Sequence, residues 1–196
     1  MSAPLPLEFV TSATRADDLP ESPAEVAVVG RSNVGKSSLL NALANRTNLA
    51  RVSKTPGRTQ LLNLFRLGRD EDSPTVMDLP GYGFANAPKK VRESWGPMIE
   101  GYLLDRESLV MVLVLVDGEV GPTKLDVQML DWLRSEVIPH TVIATKHDKV
   151  KSAKRERRKR DLAAGCGLEP RDIVWVSASK GVGIDRLRGL IREYLS

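Results

Sequence analysis

The sequence predicts an α/β fold: a mostly parallel sheet of six strands with one antiparallel edge strand and helices on both faces. Three observations predict it. From residue 25 onward, short β-branched runs alternate with amphipathic stretches. The run Leu109–Val116 is apolar without a break, as befits a strand covered on both faces. A glycine-containing loop separates the first of these strands from a helix.

Residues 1–24 contain four prolines and few apolar runs, so they read as an extended arm, with a candidate short strand at Leu7–Val10. Residues 25–196 read as one domain, a size that buries enough surface to need no staples. Glu25–Val29 is the first strand of that domain and Ser38–Ala44 continues as a helix. Leu61–Leu67 and Pro74–Leu79 form a strand pair across the polar turn Gly68–Ser73, and this pair supplies the antiparallel edge. After Leu109–Val116, the residues Leu125, Met129, Leu133 and Val137 lie four apart and predict one face of a helix. Thr141–Thr145 and Asp172–Val176 are further strands, and Ile184, Leu187, Ile191 and Tyr194 mark a last helix. Two long segments, Arg46–Gln60 and Pro80–Pro97, are rich in Gly, Pro, Lys and Arg and take no clear assignment. Connections that long in a compact domain are usually functional or mobile.

Composition narrows the function classes. One cysteine excludes an internal disulfide framework, and with two histidines it cannot supply a His/Cys metal site. Cys166 reads as a reduced thiol in a cytoplasmic protein, and no catalysis is assigned to it. The longest apolar run is far short of the roughly 20 residues that span a bilayer, and no secretory signal is visible at the N-terminus. The expectation is a cytoplasmic monomer without membrane association. The net charge of +4 conceals a division: residues 151–160, KSAKRERRKR, carry +6, so the other 186 residues sum to −2.

The residues Gly30, Arg31, Ser32, Asn33, Val34, Gly35, Lys36 and Ser37, followed by Ser38, fit the phosphate-loop pattern G-x-x-x-x-G-K-[ST]. A polyphosphate needs several backbone N–H groups converging on it, and glycines let the backbone approach. The helix that follows presents its positive end to the anion. Lys36 adds a full charge at the β and γ phosphates, and the Ser37 hydroxyl is a Mg²⁺ ligand candidate. Asp78 ends an apolar strand and is placed to hold Mg²⁺ directly or through water. Gly81 completes D-x-x-G, where a backbone N–H can meet a γ-phosphate.

Thr145, Lys146, His147 and Asp148 follow another apolar strand and fit [NT]-K-x-D. A carboxylate at Asp148 can accept from both guanine N1–H and N2–H₂, a donor pair adenine lacks. The Lys146 stem can lie along the base. Ser177, Ala178 and Ser179 follow the next strand, where a backbone N–H can meet guanine O6. These residues favour GTP over ATP; an ATPase or kinase remains the competing enzyme class.

GRSNVGKS, DLPG, TKHD and SAS, in this order and spacing, resemble the motifs of Ras-like P-loop GTPases. SKTPGRTQ at 53–60 and DLPGYGFA at 78–85, with the helix start NVGKSSLLNAL, resemble the EngB (YihA/YsxC) family of ribosome-assembly GTPases over about residues 20–196. The resemblance implies GTP and GDP as ligands, Mg²⁺ as cofactor, and the large ribosomal subunit or its precursor, with its rRNA, as partner. It makes Thr59 the candidate switch threonine, ligating Mg²⁺ and meeting the γ-phosphate, with Thr55 as alternative. Lys36, Thr59 and Gly81 are then the catalytic candidates, and Gly57 and Gly81 to Gly83 give both switch loops backbone freedom. His147 departs from the small residue expected at its place.

Tyr82 stands where Ras-like proteins carry the glutamine that orients the attacking water. A phenol offers no amide carbonyl, so slow intrinsic hydrolysis is expected, and a nucleotide-stabilised RNA-binding module without turnover is the non-enzymatic alternative. Asn33 is either a K⁺ ligand near the phosphates, as in some related GTPases, or a turn residue. Lys151, Lys154, Arg155, Arg158 and Lys159 fall at helical spacing and predict a cationic stripe suited to RNA backbones. No aromatic interleaves it, so base stacking is not expected. Lys89, Lys90 and Arg92 form a smaller basic group near the second switch. Trp95, Trp132 and Trp175 read as packing residues, and His140 as structural.

Overall fold

Seven strands form one sheet in the order β1-β3-β4-β2-β5-β6-β7. The computed structural model describes residues 2–50, 61–82 and 89–196, and for residues 89–95 the backbone alone. The strands are β1 (Leu7–Ala13), β2 (Glu25–Gly30), β3 (Leu62–Leu67), β4 (Thr75–Asp78), β5 (Leu109–Asp117), β6 (His140–Thr145) and β7 (Ile173–Trp175). The helices are α1 (Lys36–Ala44), α2 (Lys89–Asp105), α3 (Lys124–Ser135), α4 (Arg155–Gly165) and α5 (Ile184–Tyr194). β4, β2, β5, β6 and β7 run parallel; β3 is antiparallel to β4, and β1 to β3.

Strand alternation divides the core. Ala27, Val29, Val112, Val114 and Val142 meet Tyr102 and Leu103 of α2, Leu130 and Leu133 of α3, and Leu162 of α4. Val26, Val28, Leu113, Leu115 and Ile143 point the other way, onto Leu39, Leu40 and Leu43 of α1 and Leu187 and Ile191 of α5. Helices cover both faces, which is why β2 and β5 are apolar on both sides.

Three features differ from the sequence reading. The sheet has seven strands, not six: the candidate strand at Leu7–Val10 extends to Ala13 and pairs with Leu62–Leu67, so the antiparallel strand β3 lies inside the sheet and not at its edge. Leu5 and Leu7 sit in the α1/α5 core, and the Leu5 N–H bonds the Leu43 carbonyl at 3.0 Å. Prolines 4 and 6 conceal this segment because they lie just before the strand, where no ladder N–H is needed. Second, α3 ends at Ser135, and Val137 lies beyond it at φ 57° and 85% exposed. The buried row of α3 is Asp126, Leu130 and Leu133; of the predicted residues Leu133 is buried and Met129 packs against the core, while Leu125 and Val137 are exposed. Third, α2 continues through Pro97. The apolar contacts of Ile99, Tyr102 and Leu103 outweigh the one backbone bond that a proline removes.

The nucleotide motifs among the described residues lie at the carboxyl ends of the parallel strands: Gly30 ends β2, Asp78 ends β4, Thr145 ends β6, and Ser177 follows β7. Open α/β sheets bind ligands at that edge.

Candidate nucleotide-binding site

β2 ends at Gly30, packed so tightly that a Cβ there would lie 2.9 Å from the Leu115 carbonyl oxygen and from Val34 Cγ1. The next five residues turn the chain into α1. Asn33 (φ 64°) and Gly35 (φ 110°) are both left-handed, a conformation that lets neighbouring N–H groups face one concavity. Gly35 is the N-cap of α1, whose first turn carries no acidic residue. The positive end of the helix is therefore free to meet an anion. Lys36 is held in the first turn and is 9% exposed. Thr145 at the end of β6 clamps the loop from behind: its Oγ1 donates to the Val34 carbonyl at 2.7 Å.

Asp78 ends β4 beside this loop. It is 3% exposed, and its Oδ1 has no hydrogen-bond partner among the described residues. Burial pushes its carboxyl up from 3.8 to about 6, against the pull of Lys36. An anionic oxygen so placed is poised to accept a cation or a bound water. Residues 81 and 82 lie against the phosphate loop. The Ser32 N–H donates to the Tyr82 carbonyl at 3.0 Å, and Ser32 Oγ to the Gly81 carbonyl at 3.3 Å. A Cβ on Gly81 would stand 3.0 Å from the Ser32 backbone, so only glycine fits without displacement.

The end of the site that carries the predicted base-reading residues is built from two loops sewn together. The His147 N–H bonds the Val176 carbonyl at 3.0 Å. Ser177, fully buried, donates from Oγ to Asp148 Oδ1 at 2.6 Å. That bond holds the Asp148 carboxyl below its ordinary value, so it is an anionic acceptor at neutral pH. Ser179 Oγ lies 3.2 Å from Ser177 Oγ, and Ala178 sits between them in the turn. Lys146 adopts φ 55°, and its Nζ pairs with Asp117 Oδ2 at 2.7 Å. The His147 ring packs edge-on to Trp175, at 5.8 Å between centroids. Burial, with Arg155 and Lys159 nearby, lowers its pKa, so the departure at this position is a packed, neutral imidazole.

The structure brings together Gly30 to Ser38, Asp78, Gly81, Thr145, Lys146, Asp148 and Ser177 to Ser179 at one edge. Thr55, Gly57, Thr59 and Gly83 lie outside the described residues, as do the side chains of Lys89, Lys90, Arg92 and Trp95. The cationic stripe is placed differently from its prediction. Lys151 and Lys154 precede α4 in a turn. Arg155, Arg158 and Lys159 are half-buried on the row that continues into Leu162, Ala163 and Cys166. Arg155 Nε bonds the Val150 carbonyl at 3.2 Å, and Lys159 pairs with Glu156 at 2.9 Å. The outward side carries Lys151, Lys154, Arg157 and Arg160. Arg155, Arg158 and Lys159 share one helix face, as their spacing requires, but α4 docks along that same period, so these three cations are less exposed than Lys151 and Lys154.

Sequence reasoning missed Asp117 and Asp126. Asp117 follows an apolar strand just as Asp78 does, and that parallel is its signal. Asp126 lies three residues after Thr123, a capping-box spacing that the structure confirms.

The family model for 50S ribosome-binding GTPases matches residues 25–146. A probable GTP-binding protein EngB from Geobacter sulfurreducens is 46% identical over 190 residues, covering 96% of this chain and 91% of its own. The crystal structure of a probable GTP-binding protein engB superposes with a TM-score of 0.70 at 28% identity, covering 88% of this chain and 98% of its own. An Era variant from Aquifex aeolicus bound to GDP and AlF4⁻ superposes with a TM-score of 0.69 at 27% identity, over 88% of this chain and 56% of its own. With a phosphate loop, a buried carboxylate beside it and the carboxylate of Asp148 at one sheet edge, the chain belongs to the EngB family of GTP-binding proteins and is a P-loop GTPase.

Proposed function

We propose that this chain is a cytoplasmic, monomeric switch that hydrolyses GTP slowly on its own and acts in assembly of the large ribosomal subunit. The observation that carries the slow rate is the position of Tyr82. Its phenol donates to Asp126 at 2.8 Å, so the residue after D-x-x-G is committed elsewhere and presents no amide carbonyl to a water. Catalysis then falls to Lys36, to the Gly81 N–H and to the candidate Thr59. Asp78 Oδ1, buried and unpartnered among the described residues, with Ser37 Oγ at the start of α1, fits a Mg²⁺ site; Thr59 is its third candidate ligand. The bound ion would offset phosphate charge. Asn33 in its left-handed turn is exposed and available to a K⁺ ion; equal hydrolysis rates in K⁺ and Na⁺ buffers would dismiss that role.

The ribosomal partner is supported by the description of the matching family, 50S ribosome-binding GTPases, and by the outward cations Lys151, Lys154, Arg157 and Arg160. Such a patch favours phosphate backbones without reading sequence. No helix among the described residues is long and apolar enough to cross a membrane. The deciding experiment is sedimentation with purified ribosomal subunits in GDP and in a non-hydrolysable GTP analogue. Binding to the large subunit is expected with the analogue, weakened by salt and by Arg157→Glu with Arg160→Glu. Equal partition in both nucleotides, or none to the large subunit, refutes the reading.

A further inference from the structure

Asp126 is a fully buried carboxylate on α3 that belongs to no nucleotide motif. Closing the N-terminus of α3 explains part of it: Oδ2 accepts from the Thr123 N–H and from Thr123 Oγ1, both at 2.8 Å. An exposed acid would serve that purpose equally well. What capping does not require is complete burial and two further partners. Oδ1 accepts from the Tyr82 phenol at 2.8 Å, and Arg31 Nε lies 3.2 Å from Oδ2 as an ion pair that makes no hydrogen bond. A buried charge without partners would cost several kcal/mol, and Tyr82 and Arg31 offset part of that cost beside Thr123.

The two partners come from the two loops that face the phosphates. Arg31 is the second residue of the phosphate loop, and Tyr82 directly follows D-x-x-G. Their backbones also form a parallel bridge with one another. The carboxylate therefore closes a ring: α3 to Tyr82, Tyr82 to the phosphate loop, Arg31 back to α3. Burial and the Asp126 charge push the Tyr82 phenol far above its ordinary value, so it remains a donor. Gly81 directly precedes Tyr82 of this ring, and its carbonyl accepts from Ser32 Oγ.

We propose that Asp126 is a positioning residue for GTP hydrolysis: through Arg31 and Tyr82 it holds Gly81 in register with the phosphate loop. The inference rests on the GTPase assignment. Placement errors of about 1 Å at a reacting group are costly, and Gly81 is the nearest residue to this ring with a role at the γ-phosphate.

Single-turnover hydrolysis, fluorescent GDP affinity and thermal midpoint are measured together on four variants: Tyr82→Phe, Asp126→Asn, the double variant, and Asp131→Asn. The last lies on the outer side of α3 as a control. Tyr82→Phe should lower the hydrolysis rate at saturating GTP about tenfold, the value of one buried hydrogen bond, while GDP affinity stays within about twofold. The double variant should be no slower than the slower single variant, because both break one ring. Two results overturn the inference: a Tyr82→Phe rate within about twofold of the parent, or a rate, affinity and midpoint that fall together. If Asp126→Asn does not fold, Tyr82→Phe, which removes one oxygen and no charge, decides alone. A parent chain that does not hydrolyse GTP removes the GTPase assignment and this inference with it; parent turnover with an unchanged Tyr82→Phe removes this inference only.

Discussion

Replacing Asp78 by asparagine should stabilise the nucleotide-free protein while weakening its use of Mg²⁺. The buried carboxyl titrates at about 6 in the folded chain against 3.8 in the unfolded one, with burial the cause and Lys36 opposing it. The protonated form thus favours folding. That contribution is complete below the unfolded value and is lost as pH rises through about 6. At pH 7.5 the ionised carboxylate costs about 3 kcal/mol, at 1.36 kcal/mol per pH unit. Asparagine resembles the protonated acid and avoids the cost. The variant should therefore unfold roughly 6–12 °C higher than the parent without nucleotide or Mg²⁺, as expected for a chain of this size. Urea unfolding between pH 4.5 and 8 gives the sharper test. The advantage of the variant should shrink to about 1 kcal/mol at pH 4.5, where the folded parent is nearly all protonated at Asp78 and only the ionised unfolded chain still draws on the difference. With GDP and Mg²⁺ present the order should reverse, because only the carboxylate rewards the cation. A variant less stable than the parent at pH 7.5 without ligands, or an advantage that does not vary with pH, refutes the reasoning.

Two further outcomes test the scaffold. Glu25 is fully buried at the opposite end of β2, where it accepts from Arg106 Nε at 2.9 Å, from Thr75 Oγ1 at 2.6 Å and from the Tyr102 hydroxyl. Arg106→Ala leaves that charge unpaired and should cost about 3–5 kcal/mol in urea unfolding; a loss under about 1 kcal/mol would show that Thr75 and Tyr102 suffice. Val137 is exposed in the left-handed region, where a β-branched residue is strained, so Val137→Gly should raise stability by about 1 kcal/mol despite losing an apolar side chain. An unchanged or lower unfolding midpoint would mean the strain is already relieved.

The parallel sheet was legible in the sequence because β2, β5 and β6 are buried on both faces, and only near-continuous apolar runs can serve there. The clustering of the motif-bearing loops was legible because the motifs follow successive strands, and the left-handed φ of Gly35 and the anionic Asp148 have the geometry and charge that the motifs call for. Leu7–Ala13 was harder. An edge strand is half exposed and carries a weak pattern, and Phe9, 54% exposed, gives no sign of which neighbour it pairs with.

The sequence by itself determined the fold class, the nucleotide and the carboxyl-end location of the site, because each depends on local pattern. Tertiary structure alone decided where Tyr82 turns, why Asp126 is buried, and which side of α4 faces out. Those depend on partners distant in the chain: Asp126 is 44 residues from Tyr82, and the row of α4 that aligned its cations is the row that meets the core. Spacing shows which residues share a face, and only packing shows which face is free.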